Sequence, residues 1–151
     1  MCGFVGFTGM LANRREILQR MADRIIHRGP DSEGFYLDGE RDDDACALGF
    51  RRLSIIDLAS GSQPMENEDG SVVIVFNGEI YNFEELRTVL IERGHVFRTR
   101  CDTEAILHGY EEYGTEIVKK LRGMFAFVIR DKKHHRLFGA RDPFAIKLFY
   151  Y

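Results

Sequence analysis

The apolar positions of this chain switch several times between a two-residue rhythm and a rhythm of three to four, which predicts strands and helices interleaved along one polypeptide. Gly3 to Thr8 reads as a short buried strand, and Gly9 begins a turn. Ile17, Leu18, Met21, Ile25 and Ile26 then recur at helical spacing, predicting an amphipathic helix from Asn13 or Arg14 to about Ile26. Pro30 disfavours helix at Gly29, so this helix ends before His27-Arg28-Gly29-Pro30-Asp31. As an isolated pair, His27 and Arg28 read most simply as groups of a surface turn. Phe35 and Leu37 alternate with Tyr36 and Asp38 in a strand that closes at Gly39. After the acidic run Glu40 to Asp44, a solvated loop or hairpin tip, Cys46 to Phe50 forms a strand leading into Arg51 and Arg52. One of these two arginines is expected to snorkel to solvent. The other is then free to bind a carboxylate through its bidentate fork.

Residues 58–70 read as loop and turn, and the unbroken run Val72 to Phe76 predicts a central strand buried on both faces. Asn77-Gly78 could be a plain hairpin turn, but a helix follows instead of a strand. Asn82 with Glu85 has the spacing of a capping box, Phe83, Leu86, Val89 and Leu90 give an apolar stripe, and Gly94 stands where a left-handed C-terminal residue belongs. The hairpin reading weakens accordingly, leaving a side-chain amide at Asn77 and an unhindered N–H at Gly78 as donors of the kind an oxyanion requires. His95 to Arg100 predicts another strand, and Asp102 is placed as the N-cap of the next helix, a role that would by itself explain an aspartate there. Ile106, Leu107 and Tyr110 mark that helix's buried face. A short helix from about Glu116 to Leu121, a strand from Gly123 to Ile129, a turn from Asp131 to Arg136 and a paired strand from Leu137 to Ala140 follow. Leu148 to Tyr151 is expected to begin one more strand. His108 reads as a packed helical side chain with no second ligand at i+4, and His134 and His135 as solvent-facing turn residues, so no metal site is expected.

At 151 residues the chain is one domain's worth. A net charge of -3 with interspersed signs offers no basic footprint for nucleic acid, and the absence of a long uncharged apolar run disfavours a membrane span or a secretory leader. Three cysteines, at 2, 46 and 101, form neither an even set nor a C-x-x-C pair. A reducing, cytoplasmic setting is expected. The second residue then changes the picture. A small Cys2 permits removal of Met1, which would leave a thiol and a free α-amine on one residue. An α-amine titrates at about 7.7–8.0 and can serve as general base for its own thiol near neutrality. A functionless cysteine at position two is the plain alternative.

Taken together, Met1-Cys2-Gly3, the HRGPD string at 27–31, RRLSIID at 51–57, NGEIYN at 77–82, DTE at 102–104, GMFAF at 123–127 and ARDPF at 140–144 resemble the glutaminase domain of glutamine-hydrolysing asparagine synthetases, which are class II glutamine amidotransferases. The resemblance runs in order from the first residue to the last. It implies an α+β fold of the N-terminal-nucleophile hydrolase type: a four-layer α-β-β-α sandwich of mostly antiparallel sheets, incomplete at its C-terminus. It further implies that Cys2 attacks the γ-amide of L-glutamine, that Asn77 and Gly78 hold the oxyanion, and that a glutamyl thioester is hydrolysed to glutamate after ammonia leaves. Arg52 rather than Arg51 would bind the substrate carboxylate, Ile55 and Ile56 would line the pocket, and Glu79 and Asp102 would face the α-ammonium. No cofactor is implied for this domain. ATP and magnesium are expected only for a synthetase domain, the ammonia acceptor, which the resemblance implies is missing from these 151 residues. Ala145 stands where the family commonly has glycine, Leu148 where it has proline, Phe149 where it has leucine, Phe50 where a histidine is common and Cys101 where a serine is. Two other readings stay open: the same module serving another asparagine-synthetase-like amidotransferase, and a catalytically silent fragment or short paralogue acting as a binding or regulatory module. A shortened domain would leave an exposed sheet edge prone to association, and a homodimer is among the expected partners.

Overall fold

A computed structural model describes residues 2–39, 41, 43–53 and 61–151. Its elements fall into two compact units. The first holds three antiparallel strands, β1 (Gly3–Thr8), β2 (Ser32–Asp38) and β3 (Cys46–Arg52), in the order β1-β3-β2, with helix α1 (Arg14–Arg24) against them. β1 pairs with β3 from Gly3 opposite Arg51 to Thr8 opposite Cys46, and β2 pairs with β3 from Ser32 opposite Arg52 to Asp38 opposite Cys46. Leu18 of α1 is fully buried. It sits over Gly49, where an added Cβ would lie 3.3 Å from the Leu18 side chain, so the missing side chain of Gly49 is what lets the helix settle on the sheet.

The second unit carries β4 (Met65–Glu66), β5 (Val72–Ile80), β6 (Gly123–Asp131) and β7 (Arg136–Arg141) as an antiparallel sheet in the order β4-β5-β6-β7. Helices α2 (Phe83–Glu92) and α3 (Asp102–Tyr113) and a 3₁₀ stretch (Gly114–Lys119) complete it. Ile74, Phe76, Phe127 and Ile129 from the sheet form one core with Leu90, Ile106, Leu107 and Ile117 from the helical side. Val73, Ile74 and Val75 are all fully buried. The central strand expected from its β-branched run is therefore present and covered on both faces.

Several local expectations are corrected. The segment from His95 to Arg100 is not a strand. The Glu104 carboxylate accepts the backbone N–H groups of Arg98 and Thr99, each at 2.7 Å, so these amides serve a side chain and not a ladder. The capping box at Asn82 does not form: its side chain bridges Lys120 O and Arg122 N, both at 2.9 Å, and makes no cap hydrogen bond to α2. Gly94 does take the left-handed conformation, φ 98°. Residues 148–151 have no regular structure. No helix among the described residues is long and apolar enough to cross a membrane.

Candidate active site

In the first unit the chain's own start lies against the end of β3. The Cys2 Sγ accepts the Leu53 N–H at 3.4 Å and faces the Leu53 carbonyl at 3.8 Å, which fixes the orientation of the thiol. Gly3 pairs with Arg51, so carrying the register one step outward sets Cys2 opposite Arg52. Residues opposed in an antiparallel pair project to the same face, typically with Cβ atoms about 4.5–5.5 Å apart. Arg51 lies on the other face. The residue is 7% exposed, and its guanidinium donates Nε–H to Ala22 O at 3.2 Å and pairs with Asp23 and, at 2.7 Å, with Glu33. The snorkelling expectation fails at Arg51, which is tied down on the α1 side, while Arg52, half-buried, shares the opposite face with Cys2.

The HRGPD string is more than a surface turn. The Arg28 guanidinium donates to the Cys2 carbonyl at 3.3 Å, and Asp31 N donates to Arg52 O at 3.1 Å. Gly29 is buried, and a Cβ added there would lie 2.5 Å from the backbone of Arg51 and Arg52. The requirement at Gly29 is space for the close approach of two backbones. Sequence reasoning missed Arg28; the Gly-Pro pair beside it was the signal that this turn is packed.

In the second unit, Asn77 and Gly78 lie inside β5, not at its end, since the strand continues to Ile80. Tyr81 N donates to Arg122 O at 2.7 Å and Lys132 N to Ser71 O at 2.9 Å. These bonds set the alternation of the β5–β6 ladder: odd residues of β5 bond β6, and even residues turn their N–H groups to the other edge. β4 covers that edge only opposite Val73 and Ile74. The Gly78 N–H thus points past the end of β4, and the next N–H on the same edge, that of Ile80, is accepted by Asp102 Oδ2 at 3.0 Å. Gly78 also has no room for a side chain, because a Cβ would meet Met124 O at 2.2 Å. Ile74, Phe76 and Ile80 face the helix-side core, so Asn77 and Glu79 share the opposite face by strand alternation.

Asp102 is the first residue of α3 and Cys101 occupies the cap position, without a side-chain cap hydrogen bond; the N-cap role expected for Asp102 gives way to the bond from Ile80. Burial raises the Asp102 pKa. The N–H groups of Ile80 and Thr103 and its own N–H oppose the rise, and the nearby Glu79 charge adds to it. Ile55 and Ile56, expected in the pocket lining, lie outside the described residues. The structure brings together Cys2 and Arg52 within the first unit and Gly78, Glu79 and Asp102 within the second.

Comparison with known proteins identifies the family of the chain. The family model of the glutamine amidotransferase domain matches residues 1–151. Asparagine synthetase [glutamine-hydrolyzing] 1 of Bacillus subtilis (strain 168) is 49% identical over 156 residues, covering 100% of this chain and 24% of the relative. Asparagine synthetase [glutamine-hydrolyzing] 2 of the same strain is 44% identical, covering 100% of this chain and 20% of the relative, and the Zea mays asparagine synthetase [glutamine-hydrolyzing] is 44% identical over 97% of this chain. The chain spans about a quarter of the length of these curated relatives. Among solved structures, the B. subtilis glutamine phosphoribosylpyrophosphate amidotransferase complexed with ADP and GMP superposes with a TM-score of 0.74 at 19% identity, over 95% of this chain and 37% of that one. That likeness carries the fold, two antiparallel sheets with helices.

Proposed function

Because the chain belongs to the glutamine amidotransferase domain family, matched along its whole length, we propose that it hydrolyses L-glutamine to glutamate and ammonia through a thioester on Cys2. The observation that carries this reading is the placement of the Cys2 thiol on the Leu53 backbone, opposite Arg52 in the register. With Met1 removed, the α-amine of Cys2 takes the thiol proton. The thiolate sulfur then bonds the γ-carbonyl carbon of glutamine, and the oxyanion of the tetrahedral intermediate is held by the Asn77 amide and the Gly78 N–H. Collapse expels ammonia, the proton returning from the α-amine to the leaving nitrogen. Water next attacks the thioester, releasing glutamate and restoring the thiol. Arg52 holds the substrate carboxylate through a charge-assisted pair, and Glu79 and Asp102 receive the α-ammonium. The names of the relatives support a finer reading, in which the ammonia is delivered to an ATP-dependent synthetase that makes asparagine. A reaction dependent on a free thiol suits a reducing, cytoplasmic setting. Ammonia release from glutamine tests the proposal: Met1-processed protein turns over and Cys2→Ala does not. Equal rates for the two would refute it.

A further inference from the structure

Apart from these residues, two histidines of the second unit converge on one carboxylate oxygen. His108 of α3 is 1% exposed, and its Nδ1 stands 2.7 Å from Glu111 Oε2, one turn along the helix. His95, just past the end of α2, brings its own Nδ1 to 3.9 Å from that same oxygen. The two rings are 5.1 Å apart, and one ligand atom from each of the three residues falls within 4.8 Å of the others.

The far nitrogens of both rings face further carboxylates. His95 Nε2 lies 3.3 Å from Glu112 Oε2. His108 Nε2 lies 3.6 Å from Glu68 Oε1 and 3.7 Å from Glu104 Oε1. A histidine that binds a metal through one nitrogen usually gives its other N–H to a carboxylate, which fixes its tautomer. His108 needs such a tautomer. Its Nε2 is buried without a hydrogen-bond partner, and if its Nδ1 carries the proton for Glu111, a bare Nε2 lone pair points toward two carboxylates. A cation on Nδ1 reverses this, moving the ring proton to Nε2, where those carboxylates attract it.

We propose that His95, His108 and Glu111 form a divalent metal site of the zinc class, which ties the irregular segment after α2 to the body of α3. Two imidazole nitrogens and one carboxylate are a donor set for zinc and not for magnesium or calcium, which prefer all-oxygen surroundings. The cluster also carries spare negative charge: four glutamates surround two imidazoles, and one of those glutamates, Glu112, pairs with Arg93. A glutamate at i+3 and a histidine on the preceding segment escape a search for a second histidine at i+4, which is why the sequence pattern conceals the set. Glu111 moreover lines an open cleft of about 330 Å³ with Ser71, Tyr110, Gly114 and Lys133, so the carboxylate of the set is reachable from that cleft.

Zinc titration of chelator-stripped protein by calorimetry tests this, in a Cys2→Ala background so that the reactive thiol takes no part. The expected result is one zinc bound per chain, a rise in Tm of several degrees on binding, and a cobalt-substituted form with tetrahedral visible absorption but no thiolate charge-transfer band. His95→Gln and Glu111→Gln, both at partly exposed positions, should weaken zinc at least tenfold with an unchanged circular dichroism spectrum, and Glu112→Gln should weaken it about tenfold. Failure to bind zinc stoichiometrically, or binding that survives both His95→Gln and Glu111→Gln, would overturn the proposal and leave a metal-free cluster of imidazoles and carboxylates.

Discussion

The carboxylate of Asp102 at the start of α3 accepts the backbone N–H of Ile80 at 3.0 Å, on the edge of β5 where the Gly78 N–H also emerges. One side chain thus does two things: it meets an edge amide that β4 does not reach, and it sets a negative charge near the strand of the proposed oxyanion donors. Asp102→Asn keeps an acceptor for Ile80 and loses the charge. Its KM for glutamine should rise about 10- to 100-fold, the scale of a lost charge-assisted bond. Because burial raises the Asp102 pKa in the folded protein, stability falls as pH rises from the unfolded carboxylate value, about 3.9, through the folded one, so Asp102→Asn should be at least as stable as the parent at pH 7. Asp102→Ala abandons Ile80 as well, and should lose about 1–3 kcal/mol. Urea denaturation of the two variants beside their KM values separates these roles.

The donors on β5 differ in how much structure depends on them. Asn77→Ala should lower kcat by roughly 10²–10³, the usual loss for one oxyanion donor, with a folded chain. Gly78→Ala should fail differently, since its Cβ would sit 2.2 Å from Met124 O and 2.7 Å from the Phe125 Cα, both backbone atoms of β6. We expect loss of stability together with loss of activity, read as a lowered Tm.

Arg51 and Arg52 are adjacent and chemically alike, yet opposite consequences are expected. Arg51→Ala removes bonds to Ala22 O, Asp23 and Glu33. The two carboxylates left behind are 53% and 38% exposed and can rehydrate, so the loss should be about 1.5–3 kcal/mol with KM little changed once folded. Arg52→Ala should raise KM for glutamine at least tenfold and change the urea midpoint far less. Denaturation curves and steady-state kinetics on both variants decide the assignment.

Acid stability should depend visibly on Asp142. Burial alone would raise its pKa, but the N–H groups of Lys147, Ile146, Phe125 and Phe144 converge on it and hold it below the ordinary carboxylate value. A carboxyl group with a depressed folded pKa contributes stability that is complete above its unfolded value, about 3.9, and is lost as pH falls through the lower folded one. Asp142→Asn should therefore cost about 1–3 kcal/mol at pH 7, and the gap from the parent should narrow below about pH 3.9. Urea midpoints at neutral and acid pH give the comparison.

The strands and helices that bury a regular apolar stripe were legible from periodicity: β1, α1, β5, α2 and the β6–β7 hairpin all appear where the pattern puts them. What could not be read is which backbone groups long-range side chains would claim. Glu104 takes the amides that a strand at His95 to Arg100 would have used, Asn82 spans to Lys120 and Arg122 instead of capping its own helix, and Asp102 reaches Ile80 instead of capping α3. Register was equally hidden. That Cys2 falls opposite Arg52, with Arg51 turned to α1, depends on a one-residue phase that no local pattern specifies. Ala145 shows a departure with a structural trace: it adopts φ 54°, a left-handed conformation, at the position where the resembling family commonly has glycine.

The most direct measurement of the central claim is an acid-quenched intact mass spectrum taken during turnover with glutamine. The account predicts a chain without Met1 that gains one glutamyl group, mapped to Cys2 and discharged by hydroxylamine, with no such adduct in Cys2→Ala. Turnover by a chain that keeps Met1, or equal glutamine hydrolysis by Cys2→Ala without any adduct, would contradict it.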